Sequence, residues 1–94
     1  MSTIYPKAMK IRWRWDGDTN EHITYFNPKS GTINILNPVA AYIFNVCNGN
    51  NTVEQIIDRV CEEYDAPNRD LVTKDVNEFL HFMEKNEIIK YITD

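Results

Sequence analysis

Apolar and polar residues alternate with a period of two along the first third of the chain, which is typical of β-strands. In residues 9–15 the apolar positions alternate with basic ones, among them Arg12 and Arg14, so one face is apolar and the other basic. Residues 22–26 and 32–36 alternate in the same way and are separated by turn-forming residues. Short turns between successive strands predict an antiparallel sheet of three strands, with the second strand in the middle.

The two outer strands of this predicted sheet differ in charge. The first strand carries basic residues that discourage further pairing, whereas residues 32–36 contain neither a charge nor a proline. The outer edge of the third strand is therefore open to another strand, unless a helix or the C-terminal segment covers it. Residues 88–92 form an apolar C-terminal segment, which predicts either a short strand or a tail packed on the helices.

The rest of the chain has helical periodicity and predicts three helices. Asn37 is a good N-cap and Pro38 suits the first helical position, so a helix begins here and ends near residue 47. Thr52 and Gln55 form a capping box for a second helix, whose apolar residues recur at helical spacing.

The third predicted helix is capped by Asn68 or Asp70 and ends near Lys85. Its apolar sector is wider than packing on one side requires, because Leu71 and Phe82 lie on one flank of the main stripe. This flank either packs on the sheet or lines a groove. The main stripe consists of Val72, Val76, Phe79, Leu80 and Met83.

Composition limits what the chain can be. Its 94 residues, 43% of them hydrophobic, predict one globular domain over residues 1–94. No apolar run approaches the roughly 20 residues of a membrane span, and no apolar secretion signal is visible, so we expect a cytoplasmic protein. Residues 1–36 carry five basic and three acidic side chains, and residues 37–94 carry five against eleven. The net charge of −4 disfavours a general binder of nucleic acids or anionic membranes.

The chain shows no catalytic constellation. It lacks the common hydrolase, nucleotide-binding and metalloprotease motifs, and its two histidines are far apart. Cys47 and Cys61 lie on core-facing helical stripes, and their spacing suits neither a metal site nor a redox pair. We therefore expect a binding module without a metal or cofactor, and not an enzyme.

An ordered set of short motifs spans nearly the whole chain. Leu-Asn-Pro stands at residues 36–38, at the sheet-to-helix junction, Thr-Val-Glu-Gln-Ile opens the second helix at 52–56, and Asp-Val-Asn-Glu-Phe-Leu occupies 75–80. With these motifs the chain resembles the PqqD family, the small recognition elements of ribosomally synthesised and post-translationally modified peptides (RiPPs). It departs from the family pattern at Asn86-Glu87, where many relatives have a glycine.

The resemblance implies an α+β, winged-helix-like fold in which a three-stranded antiparallel sheet is followed by three helices. It also implies a function, which is to hold the leader segment of a precursor peptide and to present it to a modifying enzyme, commonly a radical SAM maturase. In the family the leader adds as a strand beside the third strand, against the third helix, by β-augmentation.

Carried onto this chain, the resemblance assigns the peptide-binding residues. Backbone groups would come from Thr32, Ile33, Asn34, Ile35 and Leu36. The pocket walls would come from Val72, Asp75, Val76, Phe79, Phe82 and Met83, with Asp75 and Glu78 available to basic leader residues.

Two other function classes stay open at this point. A winged-helix DNA-binding regulator would need a basic recognition helix, but residues 69–85 carry three basic and four acidic side chains, so we expect no nucleic-acid partner. The face with Arg12 and Arg14 is the one basic surface, and it could meet nucleic acid, an acidic enzyme or only solvent. A structural subunit without a peptide site is the third class.

Overall fold

The structure is a computed structural model that describes residues 3–93. The elements follow one another as strands β1 to β4, helices α1 to α3 and a final strand β5. Their bounds are β1 Ile4–Ala8, β2 Trp13–Asp16, β3 His22–Asn27, β4 Thr32–Leu36, α1 Pro38–Asn45, α2 Val53–Glu63, α3 Arg69–Lys85 and β5 Ile89–Thr93. The predicted order of sheet followed by three helices is confirmed, with an unpredicted strand β1 before it and with the C-terminal segment in the strand form, which was one of its two predicted forms.

Strands β2, β3 and β4 form the predicted antiparallel sheet with β3 in the centre. The first of these strands is shorter than predicted and begins at Trp13 instead of residue 9. The amides of Ala8 and Met9 explain the difference, because they donate hydrogen bonds to the carbonyls of Cys47 and Ile88, at 2.7 and 2.8 Å. The alternating sequence pattern therefore begins at residue 9, before β2, in a segment where the backbone amide of Met9 bonds to a part of the chain outside the three-stranded sheet.

A second, two-stranded sheet was not predicted. Strand β1 pairs antiparallel with β5, from Ile4 opposite Thr93 to Ala8 opposite Ile89. A proline at position 6 argues against a strand, but an edge strand tolerates proline where no ladder bond needs its N–H. The C-terminal segment is thus a strand, and because it pairs with β1 it does not cover the edge of β4.

The helix starts are the predicted ones. The side chain of Asn37 accepts a hydrogen bond at the first turn of α1, and Pro38 follows at the first helical position. Thr52 and Gln55 form the capping box of α2. Of the two candidates for α3, Asn68 is the N-cap. Helix α1 ends at Asn45, two residues earlier than predicted.

The helices pack on one face of the three-stranded sheet and leave the other face uncovered. Alternate residues of β3 point into the core, where Ile23 is fully buried, whereas Phe26 on the other face is exposed. No helix among the described residues is long and apolar enough to span a membrane. The largest fully buried aliphatic side chains of the core belong to Ile23, Ile56, Val76, Leu80, Met83, Ile88 and Ile89.

Helix α3 ends in a Schellman motif with an unusual residue. The amide of Ile88 donates to the carbonyl of Met83 at 2.8 Å, and that of Glu87 donates to Glu84 at 3.0 Å. This motif places Glu87 in the left-handed region, with φ of 62°, where glycine is usual. At this position, where many family members have a glycine, the chain therefore places Glu87 in a backbone conformation that favours glycine.

We expect Glu87→Gly to raise the free energy of unfolding by roughly 0.5–1 kcal/mol, because the left-handed conformation costs a residue with a Cβ more than the added chain entropy of glycine offsets. Urea denaturation of the two proteins measures the change. Glu84→Gly, in the exposed last turn of the same helix, is the matched control and should lower stability by about 0.5–1 kcal/mol. A lower stability of both variants would contradict the prediction.

Candidate functional site

A groove of about 560 Å³ runs between β4 and α3. The edge of β4 forms one side and two phenylalanines of α3 form the other, while the end of α3 and the β3–β4 turn meet at one end. The lining residues are Tyr25, Asn27, Ser30, Thr32, Asn34, Ile35, Leu36, Asn37, Ala40, Phe79, Phe82 and Asn86.

The hydrogen-bonding register decides which backbone groups of β4 point out of the sheet. The amide of Phe26 donates to the carbonyl of Arg12, the residue before β2, at 2.8 Å, so the backbone of its neighbour Tyr25 points the other way, toward β4. Tyr25 lies opposite Asn34, whose backbone groups therefore point inward to β3. The N–H and C=O groups of Ile33 and Ile35 point to the open edge, because successive residues alternate in direction.

This register narrows the predicted set of backbone partners. Residues 32–36 were all expected to supply donors and acceptors, but only Ile33 and Ile35 have theirs directed to the edge. Their side chains extend on the uncovered face of the sheet, whereas Asn34 and Leu36 share the helix-facing side with Tyr25 and Ile23. No described strand pairs with this edge of β4. Strand β4 thus presents an unpaired edge beside a groove.

The helix side of the groove is aromatic. The rings of Phe79 and Phe82 are stacked, with centroids 6.2 Å apart and planes at 19°. Phe79 is half-buried against the core, and Phe82 is 44% exposed. Part of the wide apolar sector of α3 therefore lines the groove, while Leu71 on the same flank is exposed and lies outside the lining.

Three of the predicted apolar wall residues, Val72, Val76 and Met83, do not line the groove. Val76 and Met83 are 1% and 0% exposed, so their side chains belong to the core and support the groove from behind. The prediction failed because helical spacing places them beside Phe79 without showing how deep the helix sits. Val72 is half-buried and packs on the same core.

The two acidic residues predicted for the site lie on the exposed surface of α3. Neither Asp75 nor Glu78 is among the lining residues. Each stands four residues before a groove phenylalanine, Phe79 and Phe82 respectively, and so on the preceding turn of the helix. Within the part of the chain that the structure describes, no charged side chain lines the groove itself.

The polar side chains of the groove were missed by sequence reasoning. Asn27 and Asn86 are 59 residues apart in sequence, and their side chains form a hydrogen bond of 3.3 Å that joins the β3–β4 turn to the end of α3. Burial raises the pKa of the Tyr25 phenol, although a hydrogen bond with Asn34 acts in the opposite direction. Asn27 carried a turn signal, but nothing local indicated its distant partner.

Family comparison identifies the kind of protein to which this groove belongs. The family model described as coenzyme PQQ synthesis protein D (PqqD) matches residues 24–89, which include most of β3, all of β4 and all three helices. The chain belongs to the PqqD family. No curated protein sequence matches it.

Two solved structures share the fold of this PqqD-family chain. TbiB1 in complex with the TbiA(beta) leader peptide is 22% identical, with a TM-score of 0.73 over 89% of this chain and 94% of that chain. The PqqD truncation of Methylobacterium extorquens PqqCD, a stand-alone RiPP recognition element solved by NMR, is also 22% identical, with a TM-score of 0.68 over 90% and 87%. The winged-helix-like α+β fold expected from the resemblance is thereby confirmed.

Neither a cysteine nor a histidine is among the described residues that line the groove. Burial raises the pKa of the Cys47 thiol to about 12, and its Sγ donates to the Ile43 carbonyl at 3.2 Å. Within residues 3–93, no three His, Cys, Asp or Glu side chains are placed to hold a metal ion together. What the groove offers is backbone hydrogen bonding beside an aromatic and polar surface.

Neighbouring residues of α3 test the assignment of groove and core. We expect Met83→Ala to lower the free energy of unfolding by about 2–5 kcal/mol, because it leaves a cavity in the core, and Phe82→Ala to lower it by less than about 1 kcal/mol. Urea denaturation of both variants measures the difference. Equal losses would show that Phe82 is a core residue and does not form a groove wall.

Proposed function

We propose that this chain binds the leader segment of a ribosomally synthesised precursor peptide as an added strand on the edge of β4. It then presents the peptide to a separate modifying enzyme, which we propose is a radical SAM maturase. The chain itself performs no catalysis in this proposal. The observation that carries the proposal is the unpaired edge at Ile33 and Ile35, which lies next to a groove. The fold of TbiB1, whose structure contains a leader peptide, supports it.

In this proposal, affinity and selectivity come from different parts of the site. The backbone groups of Ile33 and Ile35 supply sequence-independent hydrogen bonds, as in other cases of β-augmentation. Side chains of the leader alternate, so those opposite Asn34 point into the groove, toward Phe79 and Phe82. The uncharged lining favours apolar and neutral polar leader residues inside the groove, while Asp75 and Glu78 would meet basic residues only outside it.

The charge of α3 supports a peptide over a nucleic acid. The helix carries three basic and four acidic residues, and a helix that enters a DNA groove needs the opposite balance. Family membership points the same way, since the chain matches a family of recognition elements. The DNA-binding regulator therefore has no observation in its favour on this side of the molecule.

A proline at the edge of β4 tests the backbone contact. Ile35→Pro removes an outward N–H without breaking a bond to β3, so we expect it to weaken leader binding about tenfold or more, through one lost hydrogen bond and the ring at the edge. Ile35→Ser keeps the N–H and should change the dissociation constant by less than about threefold. Calorimetric titration with synthetic leader peptides, taken from short candidate precursors among the neighbouring genes, measures both.

Amide hydrogen exchange gives a second measurement that does not depend on the variants. Leader addition to the wild-type protein should protect the amides of Ile33 and Ile35, and leave that of Asn34, which is already bonded to β3, nearly unchanged. Protection confined to residues outside β4 and α3 would refute the proposal. Far-ultraviolet circular dichroism shows whether the proline variant is folded.

A further inference from the structure

The uncovered face of the three-stranded sheet carries an exposed apolar patch. We call this surface the outer face and define it by Arg12, Arg14, Thr24, Phe26, Ile33 and Ile35. The side chains of Ile33 and Ile35 are 66% and 67% exposed, although both are large and aliphatic. Phe26 is also exposed and lies opposite Ile33. A concavity of about 490 Å³ is lined by Arg12, Trp13, Arg14, Thr24, Tyr25, Phe26 and Ile33.

This composition differs from that of an ordinary solvent-facing sheet. The exposed face of an antiparallel sheet is usually polar, because apolar residues alternate toward the core. Here the strand pair β3–β4 carries apolar residues outward at Phe26, Ile33 and Ile35, with no described segment above them. Exposed apolar patches rimmed by polar residues are typical of protein interaction sites.

The rim of the patch is basic on the β2 side. Arg14 lies 3.6 Å from Asp16, whereas Arg12 takes part in none of the ion pairs formed within residues 3–93. A partner that supplies carboxylates around an apolar contact fits this rim. A second copy placed on a two-fold axis through the patch fits less well, because the same arginines would meet at one interface. Nucleic acid also fits less well, because it would cover Ile33 and Ile35 without making an apolar contact with them.

The outer face also continues into the proposed leader site. Ile33 and Ile35 belong to β4, and their backbone groups point to the edge where the leader would add. An added strand extends the sheet, and the leader side chains opposite Ile33 and Ile35 then lie on the same outer face. A partner docked there contacts both this chain and alternate residues of the leader.

We propose that the outer face is the docking surface for the modifying enzyme, through an apolar contact surrounded by carboxylates, and that the bound leader completes this surface. The proposal rests on the proposed function for its second half only. Enzyme and leader then increase each other's affinity for this chain by the same factor, as linkage requires.

Surface variants test the docking site. The probe is the purified modifying enzyme encoded beside this chain, titrated with and without the synthetic leader. We expect Ile33→Ser and Arg12→Glu each to weaken enzyme binding about tenfold or more, because one removes the apolar contact and the other reverses the charge. Ile4→Ser, an exposed isoleucine of the other sheet, is the matched control and should leave enzyme affinity unchanged.

The leader affinity of the same variants separates this proposal from the proposed function. For Arg12→Glu, whose side chain lies outside the proposed leader site, leader binding within about threefold of wild type together with the loss of enzyme binding supports both. Unchanged enzyme affinity in Ile33→Ser and Arg12→Glu overturns the docking site and leaves leader binding intact. If the leader binds nowhere but both variants still lose the enzyme, the proposed function and the coupling fail, and docking stands.

Two further outcomes would assign the outer face to a different partner. Sedimentation equilibrium that shows a dimer, dissociated by Ile33→Ser, would assign the outer face to a second copy of the chain and overturn enzyme docking. Salt-dependent binding of duplex DNA that Arg12→Glu abolishes would assign it to nucleic acid and overturn the proposal equally. Arg12→Glu lies at an exposed position and serves as the folded variant if Ile33→Ser does not fold.

Discussion

The register in which β3 pairs with β4 is the constraint on which the two candidate surfaces depend. Tyr25 opposite Asn34 places one set of side chains toward the helices and the other set on the outer face. The same pairing directs the backbone groups of Ile33 and Ile35 to the open edge. A shift by one residue would exchange the two faces of β4 and bury the isoleucines. The buried Ile23 and Leu36, which pair at the other end, hold the strands in this register.

Residues 36–38 join the end of β4 directly to the first helix, α1. Leu36 is buried, Asn37 caps α1 and Pro38 begins it, so the chain turns from strand to helix within three residues. Two hydrogen bonds tie the end of helix α3 to the β3–β4 turn. One joins Asn27 to Asn86, and the other joins Lys29 Nζ to the Lys85 carbonyl at 3.3 Å. These contacts close one end of the groove and leave its edge open.

The groove and the outer face divide the surface of this small chain between them. The groove and the outer face lie on opposite sides of the same strand, so a peptide on the edge remains accessible from the side that no helix covers. Residues 1–36, which contain the strands of the three-stranded sheet, carry five basic and three acidic residues, whereas residues 37–94, which contain the helices, carry five basic and eleven acidic ones. A partner of opposite charge is therefore directed to the sheet side.

The local signals were sufficient for most of the fold. The caps at Asn37 and Thr52, the periodicity of the helices and the charge-free third strand predicted the elements and the open edge, because each depends on neighbouring residues. The β1–β5 pair was missed because its two strands are some 80 residues apart and depend on long-range hydrogen bonds.

Tertiary structure alone decided the composition of the site. Helical spacing grouped Val76, Phe79 and Met83 together, but only the depth of α3 in the core separates buried residues from groove walls. The Asn27–Asn86 contact and the outward direction of Ile33 and Ile35 likewise depend on where distant segments pack. The sequence by itself determined a small α+β domain whose third strand carries neither a charge nor a proline, and it left open whether another segment covers the edge of that strand. Which atoms face that edge follows from hydrogen-bond register and packing, and these are set by the whole chain.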